Sequence, residues 1–332
     1  MSGRAELDPE RLRSALAERE PSARAEPTSI EVVRAPGRVN LIGEYTDFND
    51  GFVLPVAIDL EIRIALVPSG DRTVTLELEA TGERASFSLD ALPERRGDWL
   101  DYVAGTAWSL AEAGLEVRGF RGLLASDLPI GAGLSSSAAL ELAVARALLA
   151  DPVDGIDRVR LARLAQRAEN AWVGVSCGIM DQFASSVGNR DGALLLDCRS
   201  LEHRPVPLPR EGLALLVCDT GVPRRLTGSA YNDRRASCER VAGLLAERGA
   251  PVRALRDADE AMLGSLAGVA EPVDLRRAEH VVRENERVLE TVAALDAGDL
   301  GSVGRLFSES HASLRDLFEV SCRELDLLVE IA

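Results

Sequence analysis

The stretch Pro129-Ile-Gly-Ala-Gly-Leu-Ser-Ser-Ser-Ala-Ala139 constrains this chain more than any other. Phe120 to Ser126 leads in with a strand-like pattern. Leu140 to Leu149 leads out, rich in Ala and Leu and without a helix breaker. Strand, glycine loop and helix start together present backbone N–H groups and a positive dipole end to an anion, and a triphosphate is the natural guest. Taken alone, a Gly-x-Gly also describes an ordinary capped helix after a turn. The chain has no lysine, so its 38 basic residues are all arginine. That excludes the Gly-x-x-x-x-Gly-Lys-Ser/Thr loop, the strand lysine of protein kinases and a lysine Schiff base. Ser136 stands where a dinucleotide fingerprint has its third glycine. A phosphate site here must work through backbone amides, serine hydroxyls, arginine and a metal ion.

With 332 residues, 46% of them hydrophobic and 28% charged, the chain is long enough for one large core or two modest ones. A net charge of −16 speaks against nucleic acid or an anionic membrane as partner. ATP bound to so acidic a protein needs local screening, most simply by Mg²⁺. The five cysteines are widely spaced and include no Cys-x-x-Cys, as expected of free thiols in the cytoplasm. Met1 to Glu20 lacks the apolar core of a signal peptide, and no apolar run reaches membrane-spanning length.

Along the chain, Pro9 to Glu20 is expected to be a helix capped by Asp8, Pro21 to Pro27 a connector and Ser29 to Arg34 a strand. Ala35 to Gly51 reads as a long loop. Strands are expected at Phe52 to Leu60, Glu61 to Pro68, Thr73 to Glu79 and Ala85 to Leu89, and a helix at Asp98 to Gly114. Beyond the glycine loop come helices at Ser135 to Ala150 and Asp157 to Val173, a break at Gly174 to Gly178, and a short helix near Met180. Strands follow at Ala193 to Asp197 and Leu213 to Asp219. Then helices dominate, at Thr227 to Arg248, Asp274 to Leu295, Leu300 to Leu314 and from Ser321. The shift from mixed to helical pattern places a domain boundary at 207/208.

Two further constellations carry chemistry. The loop Arg34 to Gly51 packs Arg38, Asn40, Glu44, Tyr45, Thr46, Asp47 and Asn49 into twelve positions. Short carboxylates and amides at that density suit vicinal hydroxyls, and equally a solvated Asx-rich turn. The second set is Glu169 with Cys177-Gly-Ile-Met-Asp-Gln-Phe183. Asp181, at a helix start, either complements the dipole or accepts a hydroxyl proton. Glu169 is either a surface charge or, with Ser137, a two-oxygen holder of Mg²⁺. His203, His280 and His311 have no ligand spacing and read as structural or surface residues, which leaves a Ser-His-Asp hydrolase without support.

Gly37-Arg-Val-Asn-Leu-Ile-Gly-Glu-Tyr-Thr-Asp-Phe-Asn-Asp-Gly-Phe-Val-Leu-Pro55 resembles the galactokinase signature, and Pro129 to Ala139 resembles the phosphate loop of the wider GHMP kinase superfamily. Tyr231 to Glu239 and Ser310 to Arg315 also resemble galactokinase segments. The resemblance runs from about residue 8 to the last residue. It implies an α+β, two-domain GHMP kinase fold. Residues 1–207 would form a domain like domain 2 of ribosomal protein S5, and residues 208–332 an incomplete ferredoxin-like domain, with the site in the cleft between them. It implies ATP-dependent phosphorylation of galactose at the anomeric hydroxyl, by a cytoplasmic monomer. By motif position, Asp181 would take the anomeric proton, and Arg38 would pair with it and stabilise the transferring phosphoryl group. Glu44, Tyr45, Asp47, Gly178 and Tyr231 would bind the sugar. Gly131, Gly133, Leu134, Ser135, Ser136 and Ser137 would cradle ATP, and Ser137 and Glu169 would carry Mg²⁺.

Two departures follow. Tyr45 replaces the family's usual histidine near the sugar's 6-hydroxyl, which keeps a related kinase with a different pyranose as an alternative. The third, glycine-rich motif of galactokinases has no match after residue 300, so a shortened and poorly active chain is expected. A non-catalytic sugar sensor of the yeast type is the remaining alternative. That type has lost two residues of the serine loop, whereas Ser135-Ser-Ser-Ala-Ala139 is complete.

Overall fold

Alternating apolar residues and capped helices divide the chain into two compact units, and the chain passes between them after Arg38, Val56 and Val187. The computed structural model describes residues 7–129, 131–149, 156–189, 192–209, 214–222 and 229–332.

The first unit, Met1–Arg38 with Ala57–Val187, is built on a five-stranded mixed sheet. Its strands are β1 (Glu31–Asn40), β3 (Pro55–Pro68), β4 (Thr73–Leu78), β5 (Arg84–Ser88) and β6 (Phe120–Ser126), in the order β1-β3-β6-β4-β5. β3 runs antiparallel to β6, with Ile64 opposite Leu124, and β4 runs parallel to β6, with Leu76 opposite Gly122. The later part of β3, Ile64 to Val67, is apolar on both faces. Ala65 and Val67 pack with Leu12 and Leu16 of α1 (Pro9–Arg19) and Ala23 of α2 (Pro21–Ala25). The alternate residues Ile64 and Leu66 are also fully buried, so period-two alternation gives this strand two covered faces. The Asp8 carboxylate caps α1 by accepting from the Glu10 and Arg11 N–H groups, each at 3.0 Å. Arg11 then makes a two-pronged bond to Glu79, at 2.8 and 2.7 Å. Helices α3 (Trp99–Glu112), α4 (Ser136–Leu148), α5 (Arg158–Arg167) and α6 (Met180–Val187) pack on one another.

The second unit comprises Val39–Val56 and Gly188–Ala332. Here β2 (Phe52–Val53), β7 (Gly192–Asp197) and β8 (His203–Pro207) form an antiparallel sheet in that order. Its core joins Ile42, Leu54, Ala193 and Val206 to Val288 and Val292 of α9 (Pro272–Asp296) and Leu306 of α10 (Leu300–Asp316). A second core gathers Cys238 and Val241 of α7 (Ser229–Glu247), Leu263 of α8 (Glu260–Gly264), Val281 of α9 and Phe318. The last helix is α11 (Arg323–Ile331). No helix among the described residues is long and apolar enough to cross a membrane.

Two arginines clamp this unit around Asp50. Arg256 grips Asp197 with both terminal nitrogens, at 2.5 and 2.8 Å, and donates to the Asp50 carbonyl at 2.9 Å. Arg199 grips Asp257 at 2.7 and 2.8 Å and reaches the Asp50 carboxylate at 3.1 Å. Burial alone would raise the pKa of Asp197, but the Arg256 bonds and the Ser200 and Arg199 N–H groups outweigh it and lower it to about 2. A carboxylate depressed in the folded state contributes stability that is complete above its unfolded pKa near 4 and is lost as pH falls through the folded value. The urea midpoint is therefore expected to drop between pH 4 and pH 2. Asp197→Asn is expected to flatten that slope while costing about 1.5–3 kcal/mol at pH 7. An equal slope in both proteins would count against the clamp.

Several elements differ from the sequence expectations. The connector 21–27 contains the short α2. β1 continues through Pro36-Gly37 to Asn40, inside the expected loop, because Ala35 and Gly37 keep the alternation of buried positions. Phe52 to Pro68 divides into β2 and one long β3 rather than two similar strands. β8 is additional. Leu213 lies outside the described residues, and 214–219 form no strand. Leu215, Leu216 and Val217 are exposed, so the alternation there has no sheet to pair with among the described residues. Residues 39–56 and 188–207 group with the second compact unit, where Ile42, Leu54, Ala193 and Val206 pack on Val288, Val292 and Leu306.

Candidate active site

In the first unit the phosphate loop lies in front of α4. Gly131, Gly133 and Ser135 adopt left-handed backbone, with φ of 80°, 75° and 58°. Left-handed residues at every second position make the concave run of N–H groups that anions occupy. Ser135 is the N-cap of α4, yet its side chain makes no capping bond, and its buried hydroxyl has no partner among the described residues. An orphaned hydroxyl at a helix start on such a loop fits an incoming phosphate oxygen.

Arg38 ties this loop to Asp181. Its Nε and one terminal nitrogen donate to the same Asp181 oxygen, Oδ1, at 2.8 and 2.6 Å. Its other terminal nitrogen donates to the Gly133 carbonyl at 2.7 Å, and its backbone N–H to the Leu134 carbonyl at 3.2 Å. Neither side-chain bond to Asp181 uses Oδ2. The close approach requires Gly37, where an added Cβ would sit 2.7 Å from the Leu134 carbonyl oxygen. Asp181 is in the first turn of α6, and Gly178 is buried just before it.

Glu169 is not a surface charge. A π-helical segment, Ala168–Val173, interrupts the expected helix and turns Glu169 inward, as such insertions often do at functional sites. Its Oε2 accepts from Gln182 Nε2 at 2.6 Å, and the same nitrogen lies 3.1 Å from Oε2 of Glu141. Burial, then the charge of Asp181, pushes the Glu169 pKa up, against hydrogen bonds from Cys177, Ser137 and Gln182. Burial, with the Glu169 charge next, raises Glu141 as well, and Glu141 Oε1 has no partner among the described residues. Ser137 beside Glu169 offers a hydroxyl and a carboxylate. Two oxygens are what Mg²⁺ commonly takes from a protein when phosphate and water supply the rest. Among the described residues no group of three or more His, Cys, Asp or Glu side chains is arranged to hold a metal.

The sugar loop belongs to the second unit. The Asn40 amide donates to the Glu44 carboxylate at 3.1 Å. The buried Thr46 hydroxyl lies between the Gly43 and Phe52 carbonyls, at 2.8 and 2.6 Å. Asp47 opens a short turn by accepting from the Phe48 N–H at 3.0 Å. Tyr45 has left-handed backbone, φ 66°, and its ring lies 4.4 Å from Phe318 and 6.0 Å from Tyr231. The structure thus gathers Glu44, Tyr45, Asp47 and Tyr231 in one unit. It gathers Arg38, Asp181, Gly178, the phosphate loop, Ser137 and Glu169 in the other.

Sequence reasoning missed Glu141 and Gln182, and in the second unit His280, Glu284 and Asn285. For Glu141 a signal existed: a lone carboxylate inside the apolar run Ala138 to Ala145.

A model of the galactokinase galactose-binding signature matches residues 23–68, and one of the GHMP kinases N terminal domain matches 101–189. A galactokinase from Roseiflexus sp. (strain RS-1) is 48% identical over 302 residues, covering 91% of this chain and 77% of that protein. The chain belongs to the galactokinase family. Its relative from Chloroflexus aurantiacus, also a galactokinase, is 46% identical over 303 residues, with the same coverage. The galactokinase of Lactococcus lactis, solved in complex with galactose, superposes with a TM-score of 0.83 at 34% identity, over 96% of this chain and 83% of that one. Methanococcus jannaschii mevalonate kinase, with a TM-score of 0.57 at 18% identity over 91% of this chain and 84% of that one, shares the fold. Galactokinase membership makes this chain an ATP-using sugar kinase with the two-domain α+β GHMP fold.

Proposed function

We propose that this chain transfers the γ-phosphoryl group of ATP to the anomeric hydroxyl of galactose, giving galactose 1-phosphate and ADP. The observation that carries the proposal is the Arg38–Asp181 pair anchored to the Gly133 carbonyl of the phosphate loop. Asp181 takes the anomeric proton through Oδ2. The freed oxygen attacks the γ-phosphorus, and the bond from that phosphorus to the ADP oxygen breaks. Arg38 orients the carboxylate and offsets charge on the phosphoryl group, so the chain contributes mostly positioning and charge stabilisation. The left-handed turns at Gly131, Gly133 and Ser135 aim N–H groups at the phosphates, and Leu134, Ser136 and Ser137 complete that cradle. Ser137 and Glu169 would hold Mg²⁺, which neutralises charge on the phosphate oxygens when bound. Glu44, Tyr45, Asp47, Gly178 and Tyr231 bind the sugar. We place the activity in the cytoplasm and in a monomer, and keep 207/208 as the division between the S5-like and ferredoxin-like domains. A coupled assay of ADP release over a panel of hexoses tests the reading, and no turnover with galactose would refute it.

Tyr45 favours a second reading, a related pyranose as substrate. Its ring is committed to Phe318, at 4.4 Å, where the family usually has histidine. Tyr45→His is expected to raise the preference for galactose over 6-deoxygalactose several-fold, the worth of one hydrogen bond of about 1 kcal/mol. An unchanged ratio of kcat/KM for the two sugars would remove the 6-hydroxyl from this position's role.

A further inference from the structure

His280, Glu284 and Val288 recur at every fourth residue of α9, which puts them on one helix face with Asn285 beside them. The sugar loop rests on that face. Glu284 is completely buried. Its Oε1 accepts from the Gly43 N–H at 3.0 Å, the Glu44 N–H at 3.4 Å and the Ser310 hydroxyl at 2.7 Å, and its Oε2 from Arg287 at 2.8 Å. Asn285 Oδ1 accepts from the Phe52 N–H at 2.8 Å. His280 Nε2 lies 3.1 Å from the Glu44 carbonyl, and its Nδ1 lies 2.8 Å from the Ser313 hydroxyl. A neutral ring that donates through Nε2 and accepts from Ser313 satisfies both, and burial favours the neutral form. The seat is tight. Gly43 has φ 101°, and a Cβ there would lie 2.8 Å from the Phe52 carbonyl oxygen and 3.0 Å from Val288.

A wholly buried carboxylate is costly unless its oxygens are filled with donors. Two of the donors here are the consecutive backbone amides of Gly43 and Glu44, at the start of the residues read as contacting sugar. We propose that Glu284, braced by Ser310 and Arg287, is the positioning residue of the sugar site: from a helix, without touching sugar, it sets the backbone that presents Glu44, Tyr45 and Asp47. The Ser310 to Arg315 segment thereby has a role in sugar affinity. This rests on the reading of that loop as the sugar-binding element.

The test uses the whole chain and the variants Glu284→Gln, Ser310→Ala, Ser310→Thr and His280→Gln, with galactose titrated by calorimetry, KM for ATP measured, and folding followed by circular dichroism. Glu284→Gln is expected to raise the galactose Kd at least tenfold with the ATP KM within twofold. Ser310→Ala keeps the Glu284–Arg287 pair and is expected to raise the Kd about threefold or more, and Ser310→Thr to restore it. If Glu284→Gln fails to fold, the serine pair and His280→Gln decide. Folded variants whose galactose Kd stays within twofold would overturn the proposal, and so would a parallel loss of sugar and ATP affinity. A wild-type chain that binds another hexose instead refutes only the galactose reading, and the same titrations with that hexose then decide the positioning role. A wild-type chain that binds none of the hexoses overturns both.

Discussion

Replacing Asp181 by asparagine is expected to lower kcat by about 10²–10⁴ while leaving galactose affinity within about tenfold. An amide keeps the shape of the carboxylate and its place in the first turn of α6, but it cannot accept the anomeric proton. Both Arg38 bonds to Asp181 go to Oδ1, and the proposed reaction assigns the anomeric proton to Oδ2. Single-turnover phosphoryl transfer, measured beside equilibrium galactose binding, separates the two effects. Near-full turnover in the variant would move proton acceptance to the phosphate itself.

Arg38→Met is expected to cost about 10²–10³ in kcat, the usual worth of one fixed donor at a developing negative charge. Three bonds disappear together, two to Asp181 and one to the Gly133 carbonyl. The ATP KM is expected to rise as well, because the arginine braces the loop. Arg38→Lys separates charge from shape. A single ammonium cannot reproduce a fork that spans a carboxylate and a carbonyl, so lysine is expected to recover little of the loss. Recovery to wild-type kcat by lysine would show that net charge alone matters.

The candidate phosphate loop and the Arg38–Asp181 pair were legible because their residues have few other reasons to occur together. Gly131 and Gly133 announce left-handed backbone, and the helix after them is plain from its Ala and Leu content. Asp181 stood out after the break at Gly174 to Gly178. The seat of the sugar loop was not legible. Glu284 sits in α9 among Arg283, Glu286 and Arg287, so by local pattern it is one more charge on a solvated helix. Only its long-range partners make it buried. β8 was hidden by Pro205 and Pro207, which edge strands tolerate and central strands do not. The segment 214–219 failed in the opposite sense. Alternation states a capacity to pair, whereas a strand also needs a neighbour, and none of the described strands lies beside it.

The second unit is spliced from two distant parts of the chain, and that has a consequence for biosynthesis. Gly43 leaves the ribosome 241 residues before Glu284, its partner in the finished protein. At about 5–20 residues per second, the interval is roughly 10 to 50 s. Throughout it the amides of Gly43 and Glu44 lack their carboxylate partner, and Ile42 and Leu54 lack the part of their core that α9 and α10 supply. Contacts of such sequence separation are slow to close even in a complete chain. The sugar loop is therefore made long before its seat on α9 and becomes native only after it, and a nascent chain stalled before α9 would carry the loop unseated.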